Sequence, residues 1–385
     1  MMGGEYQQET FRVIQAMSTE NVSKITTGDQ QYYALMDNGN VYAFGHNEYG
    51  QCGTEENSFI QVPTKIKTLK NITHITSGGW FLCAIDDEGR LFCCGINSHN
   101  QLCTEKISIS HIPIQLNKDM NVSFAQVSSG FCHTFAITND RQVYSWGDNT
   151  YKQLGLGHSN EVSRLQHVEL LKNERILQMA GGGRHSLALT YDGRVFSFGD
   201  NAGGQCASKG KEAVQIPTLI SSLSNHTIIQ ISAGWNHSLF LTDKGTVYSC
   251  GTNDWGQLGR EVQNGCKMDY QPARVMGELY YINVASIATG PCSMHSFAIS
   301  NTGCVYAFGC NDKGQCGFDD REERKVPTLV EKLSGYKVET AVSANRRSLV
   351  LSSTDTAYEQ KVRRILFQSK QFYDIVFNFH EISRS

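Results

Sequence analysis

The chain has 385 residues, of which 40% are hydrophobic and 18% charged, with a formal net charge of −3. This composition supports a sizeable core and excludes a disordered chain, and the near-neutral charge excludes a basic surface built for nucleic acid. No apolar run reaches the length of a membrane helix and Met1 to Thr10 is polar, so the expected location is the cytoplasm, with the nucleus as the alternative.

In chain order, Phe11 to Ala16 is the first predicted strand, and its partners must come from elsewhere. From Gly28 onward one unit recurs. It opens on an apolar-small-small-Gly-x-x-His-small-apolar-x-apolar phrase. Intact copies surround Gly130 and His133, Gly182 and His185, and Gly234 and His237; looser ones surround Gly28, Gly78 and Gly290, the last with His295. A polar-Gly hairpin turn follows at Asn38-Gly39, Glu88-Gly89, Asp192-Gly193, Lys244-Gly245 and Thr302-Gly303, with Arg141 breaking the pattern in the third unit. The next phrase is aromatic-Gly-x-Asn-x-x-x-Gln, with cysteine in the aromatic slot of two units. Its glycines are Gly45, Gly95, Gly147, Gly199, Gly251 and Gly309, at intervals of 50, 52, 52, 52 and 58 residues. A proline then opens a further strand at Pro63, Pro113, Pro217, Pro272 and Pro327, with Leu165 in the third unit; proline belongs at a sheet edge. Four short strands per period of about 50 residues describe a propeller blade.

After the sixth unit, Ala344 to Leu351 repeats the opening phrase with Arg347 in the histidine slot, but no aromatic-Gly follows. Phe11 to Ala16 supplies the missing strand. The expected fold is an all-β, seven-bladed β-propeller over residues 11–358, closed by N- and C-terminal strands sharing the last blade. Residues 359–385 are a separate tail. Within it, Lys361 to Phe367 is predicted as a helix with Val362, Ile365 and Leu366 on one face, and Phe372 to Phe377 as a strand.

Most residue types that attract attention have structural readings. Cys52, Cys206 and Cys316 sit where Leu102, Leu154 and Leu258 sit in other units, Cys94 and Cys250 fill the aromatic slot, and Cys83 replaces a leucine. The thirteen cysteines are therefore expected as core hydrophobes rather than as a disulfide or metal framework. His133, His185, His237 and His295 lie a blade apart, whereas zinc needs ligands about 2 Å from one centre. Each is expected to bond the backbone of its own blade. The repeated Asn and Gln are expected to satisfy local backbone. No nucleophile elbow, phosphate-binding loop or ligand cluster occurs, so no catalytic residue, metal or cofactor is expected.

The sixth unit is asymmetric. A surplus falls between Gly259 and Pro272, which makes Arg260, Glu261, Lys267, Asp269 and Tyr270 the candidate partner contacts. A smaller insertion, Pro291 to Met294, precedes His295.

The phrases around His133, His185 and His237 resemble the repeats of the regulator of chromosome condensation family, and the resemblance covers residues 11 to 358. It implies a seven-bladed propeller, and its name member binds chromatin and exchanges guanine nucleotide on the small GTPase Ran. Other relatives are ubiquitin-ligase components, kinase partners and a plant UV-B photoreceptor. The exchanger uses acidic residues in the two slots after the glycine; here only Asp29 is acidic, which adds it to the candidates. The exchanger's β-wedge and basic N-terminal tail have no counterpart. The photoreceptor's clustered Gly-Trp-Arg-His repeats are reduced to one Gly-Trp-x-His, at Trp235. The tail is similar to the opening of a BTB domain. The implied function is a non-enzymatic interaction propeller that binds a protein partner through one face, as a regulator or guanine-nucleotide exchange factor of a small GTPase. One alternative is the substrate-receptor arm of a BTB–cullin ubiquitin ligase; another is a chromatin-associated protein.

Overall fold

The computed structural model describes residues 12–14, 21–56, 58–354 and 362–368. The first unit folds as an antiparallel meander of Val22–Thr27, Gln31–Met36, Val41–Gly45 and Ile60–Lys65, running from the axis of the molecule outward. Five further units repeat it, giving six blades each made of four consecutive strands of an all-β propeller. The second strand of each is buried along its whole length, as its uninterrupted apolar run requires.

The glycines that set the period have a steric cause. Gly45 lies at φ 108°, and a Cβ there would stand 2.4 Å from the Gln30 carbonyl oxygen. In the third unit, where the hairpin glycine is missing, Arg141 takes the left-handed conformation itself, at φ 69°. The prolines do not open their strands. Pro63 lies inside Ile60–Lys65, within a register irregularity where the ladder jumps from the Ala43–Thr64 pair to the Gly45–Ile60 pair. An interrupted edge tolerates a residue that cannot donate.

A further four-stranded sheet joins the two ends of the chain. Lys337–Ser343, Ser348–Thr354 and Val362–Gln368 form a meander, and Arg12–Ile14 pairs with the last of these. Leu349 and Leu351 share a core with Tyr32 and Phe44 of the first blade, while Val350 packs with Phe297 of the sixth. The helix expected over Lys361–Phe367 is therefore corrected: Val362–Gln368 is a strand, which draws part of the assigned tail into this sheet. Tertiary pairing outweighs helical spacing here, because Ser348–Thr354 otherwise presents an unpaired ladder. The predicted strand Phe372–Phe377 and the BTB-like opening lie outside the described residues.

The cysteine reading holds with two corrections, the first being that Cys266 and Cys304 are exposed and not core residues. Cys52, Cys94, Cys206, Cys250 and Cys316 are free and buried in the core. Cys83 and Cys93, however, form a disulfide. They face each other across adjacent strands, and their Cα atoms stand 4.2 Å apart. That is the close pairing of opposed residues on antiparallel strands.

Candidate functional site

In each blade the loop from the first to the second strand and the loop from the third to the fourth emerge on the same face. In blade one Gln31 pairs with Gly45, and the His46 amide donates to the Gln30 carbonyl at 3.0 Å. The repeated amides build these loops. Asn149 Oδ1 accepts from the Leu154 backbone N–H at 3.0 Å, and Gln153 Oε1 accepts from that of Tyr151 at 2.8 Å. The same pair of bonds recurs at Asn97 with Gln101, Asn201 with Gln205, Asn253 with Gln257, and Asn311 with Gln315. Both side chains are spent on orphan backbone donors, which is why they stay in register with the glycine.

The histidines join blades. His133, His185, His237 and His295 are fully buried, and each Nε2 lies 2.8–2.9 Å from a serine Oγ of the next sheet: Ser186, Ser238, Ser296 and Ser348. Each serine in turn donates to the backbone carbonyl of the preceding blade's repeated Gln, as Ser186 does to Gln153 at 2.8 Å. The serine proton is thus committed, so Nε2 carries the imidazole proton and donates. The expected bond to the blade's own backbone is replaced by one to its neighbour. Burial pushes the pKa of His133 down to about 4 and those of His185, His237 and His295 to about 3, so all four are neutral. The insertion before His295 places Ser293 Oγ 2.9 Å from its Nδ1.

The candidate contacts separate on inspection. Arg260 is 5% exposed; its guanidinium donates to the Ser249 carbonyl at 3.0 Å and to Asp269 at 2.9 Å. It is a brace inside the blade and not a surface contact. Asp269 is held by that bond and by the Gln271 amide, and Tyr270 reaches across to the Ala202 carbonyl at 3.1 Å. Glu261 and Lys267 are exposed, Lys267 standing 3.5 Å from Asp254. Asp29 is partly buried on the same face, its backbone N–H bonded to the Gly79 carbonyl at 2.9 Å. The single histidine–carboxylate cluster among the described residues, His99, Asp148 and Glu161, is already paired: Glu161 takes His99 and Asn100, and Asp148 takes Thr150 and Gln153.

Sequence reasoning passed over an aromatic group at the centre of this face. The Phe131 ring packs edge-on against Trp80 at 5.2 Å and Trp235 at 4.9 Å. Room for it comes from neighbouring glycines, since a Cβ on Gly79 would stand 2.6 Å from the Phe131 ring and one on Gly183 3.1 Å from that of Trp235. The alternation Gly79, Phe131, Gly183, Trp235 in one slot of four successive units was the available signal. Trp255, 41% exposed, lies further out on a loop of the same face.

Known proteins agree with this architecture. The model of the RCC1-like domain matches residues 3–290, and the RCC1 repeat matches residues 302–351. The chain is 32% identical over 245 residues to the human E3 ubiquitin-protein ligase HERC2, covering 63% of this chain and 5% of that protein. It is 28% identical over 323 residues to the ultraviolet-B receptor UVR8 of Arabidopsis thaliana, covering 83% and 60%. Among solved structures, Prp20p from Saccharomyces cerevisiae superposes with a TM-score of 0.74 at 21% identity, over 90% of this chain and 82% of that one. The chain thus spans less than two thirds of either relative's length. It belongs to the RCC1-like domain family.

Proposed function

We propose that this propeller is a protein-interaction module whose partner docks on the loop face that carries Trp80, Phe131, Trp235 and Trp255. The observation behind this is compositional and geometric: three of the chain's four tryptophans lie in loops of one face, two of them in contact with one phenylalanine. Clustered aromatics with polar surroundings are the usual anchors of protein interfaces. In this reading the sheet formed by both chain ends is the seventh blade and closes the ring, giving the face its rigidity. The partner is a small GTPase, and the working compartment is the cytoplasm or nucleus. Prp20p is described by its binding to Gsp1p and histones, which supports the GTPase reading and keeps chromatin in view. The net charge of −3 disfavours direct contact with nucleic acid.

A second reading has its own support. HERC2, HERC3 and HERC4, named as ubiquitin-protein ligases or probable ones, match at 32–35% identity. There the propeller would present substrate and the chemistry would lie in another domain. Nucleotide-release assays over a panel of small GTPases, with wild type and a Trp80→Ala/Trp235→Ala variant, distinguish the two. Release accelerated by wild type and not by the variant supports exchange. Absence of release, together with tryptophan-dependent capture of a ubiquitin-pathway protein, supports the second.

A further inference from the structure

The inner strands of the blades line an axial cavity of about 310 Å³. One position of the inner strand lines it in blades one to four, at Lys24, His74, Gln126 and Gln178; the same position holds Gln230, Ser286 and Thr340 in the sheets that follow. Two of these side chains are closed off. Gln178 bonds both backbone groups of Ile231 at 2.9 and 3.1 Å, and Gln230 does the same to Ile287 at 3.0 Å. The three in blades one to three are not. Lys24 has no ion pair or hydrogen bond among the described residues. His74 uses Nδ1 toward Thr73, at 3.4 Å, and among the described residues neither its Nε2 nor the Gln126 amide has a partner. The Thr73 hydroxyl donates to the Ile85 and Asp86 carbonyls, so Nδ1 of His74 carries the ring proton toward it and Nε2 is left as an acceptor. Two nitrogen donors on nearby blades, the Lys24 ammonium and the Gln126 amide, therefore border one cavity, together with the hydroxyls of Thr26 and Thr76.

The charge balance is one-sided. Burial lowers the Lys24 pKa and no carboxylate offsets it; burial, then Lys24, lowers that of His74. Glu339, one residue before Thr340 on the inner strand of the last sheet, does not line the cavity. A lysine and a donor-rich wall without a carboxylate in its lining favour an oxyanion, which accepts charge-assisted hydrogen bonds from the Lys24 ammonium and the Gln126 amide. We propose that the axial cavity is a binding site for a small oxyanion, the phosphate or carboxylate group of a small molecule, held by Lys24 and Gln126 beside the His74 ring.

The test uses the full chain. Thermal midpoints are followed against inorganic phosphate and, separately, acetate, with chloride at matched ionic strength as the reference. In parallel, amine-reactive labelling of Lys24 is followed by mass spectrometry. The expected result is a saturable rise in midpoint with at least one of the two anions, protection of Lys24 but not of exposed Lys65, and a loss of affinity of about tenfold or more in Lys24→Met. The anion giving the larger effect identifies the headgroup. Unchanged midpoints with both anions and no protection of Lys24, or an equal response in Lys24→Met, would overturn the proposal. Removing a buried charge can stabilise the variant itself, so the anion-dependent difference is the readout.

Discussion

Junctions with and without a histidine hold neighbouring sheets together. From blade three to the last sheet, a buried histidine donates to a serine, which donates to a glutamine backbone carbonyl. Between blades two and three the histidine slot holds Phe81, and the carbonyl of Gln101 is met instead by the indole N–H of Trp146 at 2.8 Å. Between the last sheet and blade one, Arg347 donates to the Tyr32 hydroxyl at 3.0 Å. What these junctions share is a donor for a carbonyl or a hydroxyl at the seam, not a residue type. They differ in what they cost when conditions change, because only the histidine version can take up a proton.

The largest expected effect follows from that liability. The folded pKa values of about 3 to 4 lie below the ordinary value of about 6.5, so the unfolded chain binds more protons between them. Stability is complete above about pH 6.5 and falls as pH drops toward 4, by about 1.4 kcal/mol per pH unit for each histidine. Four such groups are expected to unfold the propeller within this window, as circular dichroism across pH 7.5 to 4 would read. An unfolding curve flat down to pH 4.5 would show that the histidines are charged or exposed.

Trp146→Ala removes a fully buried ring and the donor to Gln101, with an expected loss of about 3–5 kcal/mol by denaturant unfolding. Trp146→Phe keeps most of the volume and loses the bond alone, at about 1–2 kcal/mol. If the two variants are equally unstable, the hydrogen bond is what the junction requires; if Trp146→Phe is neutral, it is packing.

Ser238→Ala comes next. It strands the His185 N–H and leaves only the longer Cys250 thiol contact, at 3.8 Å, to the Gln205 carbonyl, for about 2 kcal/mol. Thr134→Ala, at the junction without a histidine, breaks a weaker 3.4 Å contact to Ser129 and is expected to cost under about 1 kcal/mol. Equal costs would mean that the serine acts locally and not across the seam.

Sequence alone exposed the parts of this fold that have one steric solution. A glycine at φ 108° against a carbonyl leaves no alternative, so Gly45 and its copies keep their period. The histidine partner was harder to read, because the serine lies 53 residues away in the next blade and only a blade offset connects them. The disulfide was legible and passed over: Cys83 and Cys93 are placed symmetrically about the Glu88-Gly89 turn, so the hairpin register alone opposes them. Arg260 misled because an insertion suggests an exposed loop, whereas its guanidinium returns to Ser249 in its own blade. The polar groups of the axial cavity were invisible for a different reason. Lys24, His74 and Gln126 belong to no phrase, and only closure of the sheets brings them to one cavity.

The smallest expected effect at neutral pH is also the sharpest comparison. Blade three already carries a hydroxyl, Thr134, where Ser186 stands one blade on, so Phe81→His would rebuild the histidine junction between blades two and three. The imidazole is smaller than the phenyl ring and its N–H gains a hydroxyl acceptor, so the change at pH 7.5 is expected to stay within about 1 kcal/mol. Between pH 6.5 and 4 the variant should lose about 1.4 kcal/mol per pH unit more than wild type. A variant no more acid-sensitive than wild type would mean that position 81 does not present an imidazole to a buried seam. The equivalence of the two junctions, on which the proton argument rests, would then fail.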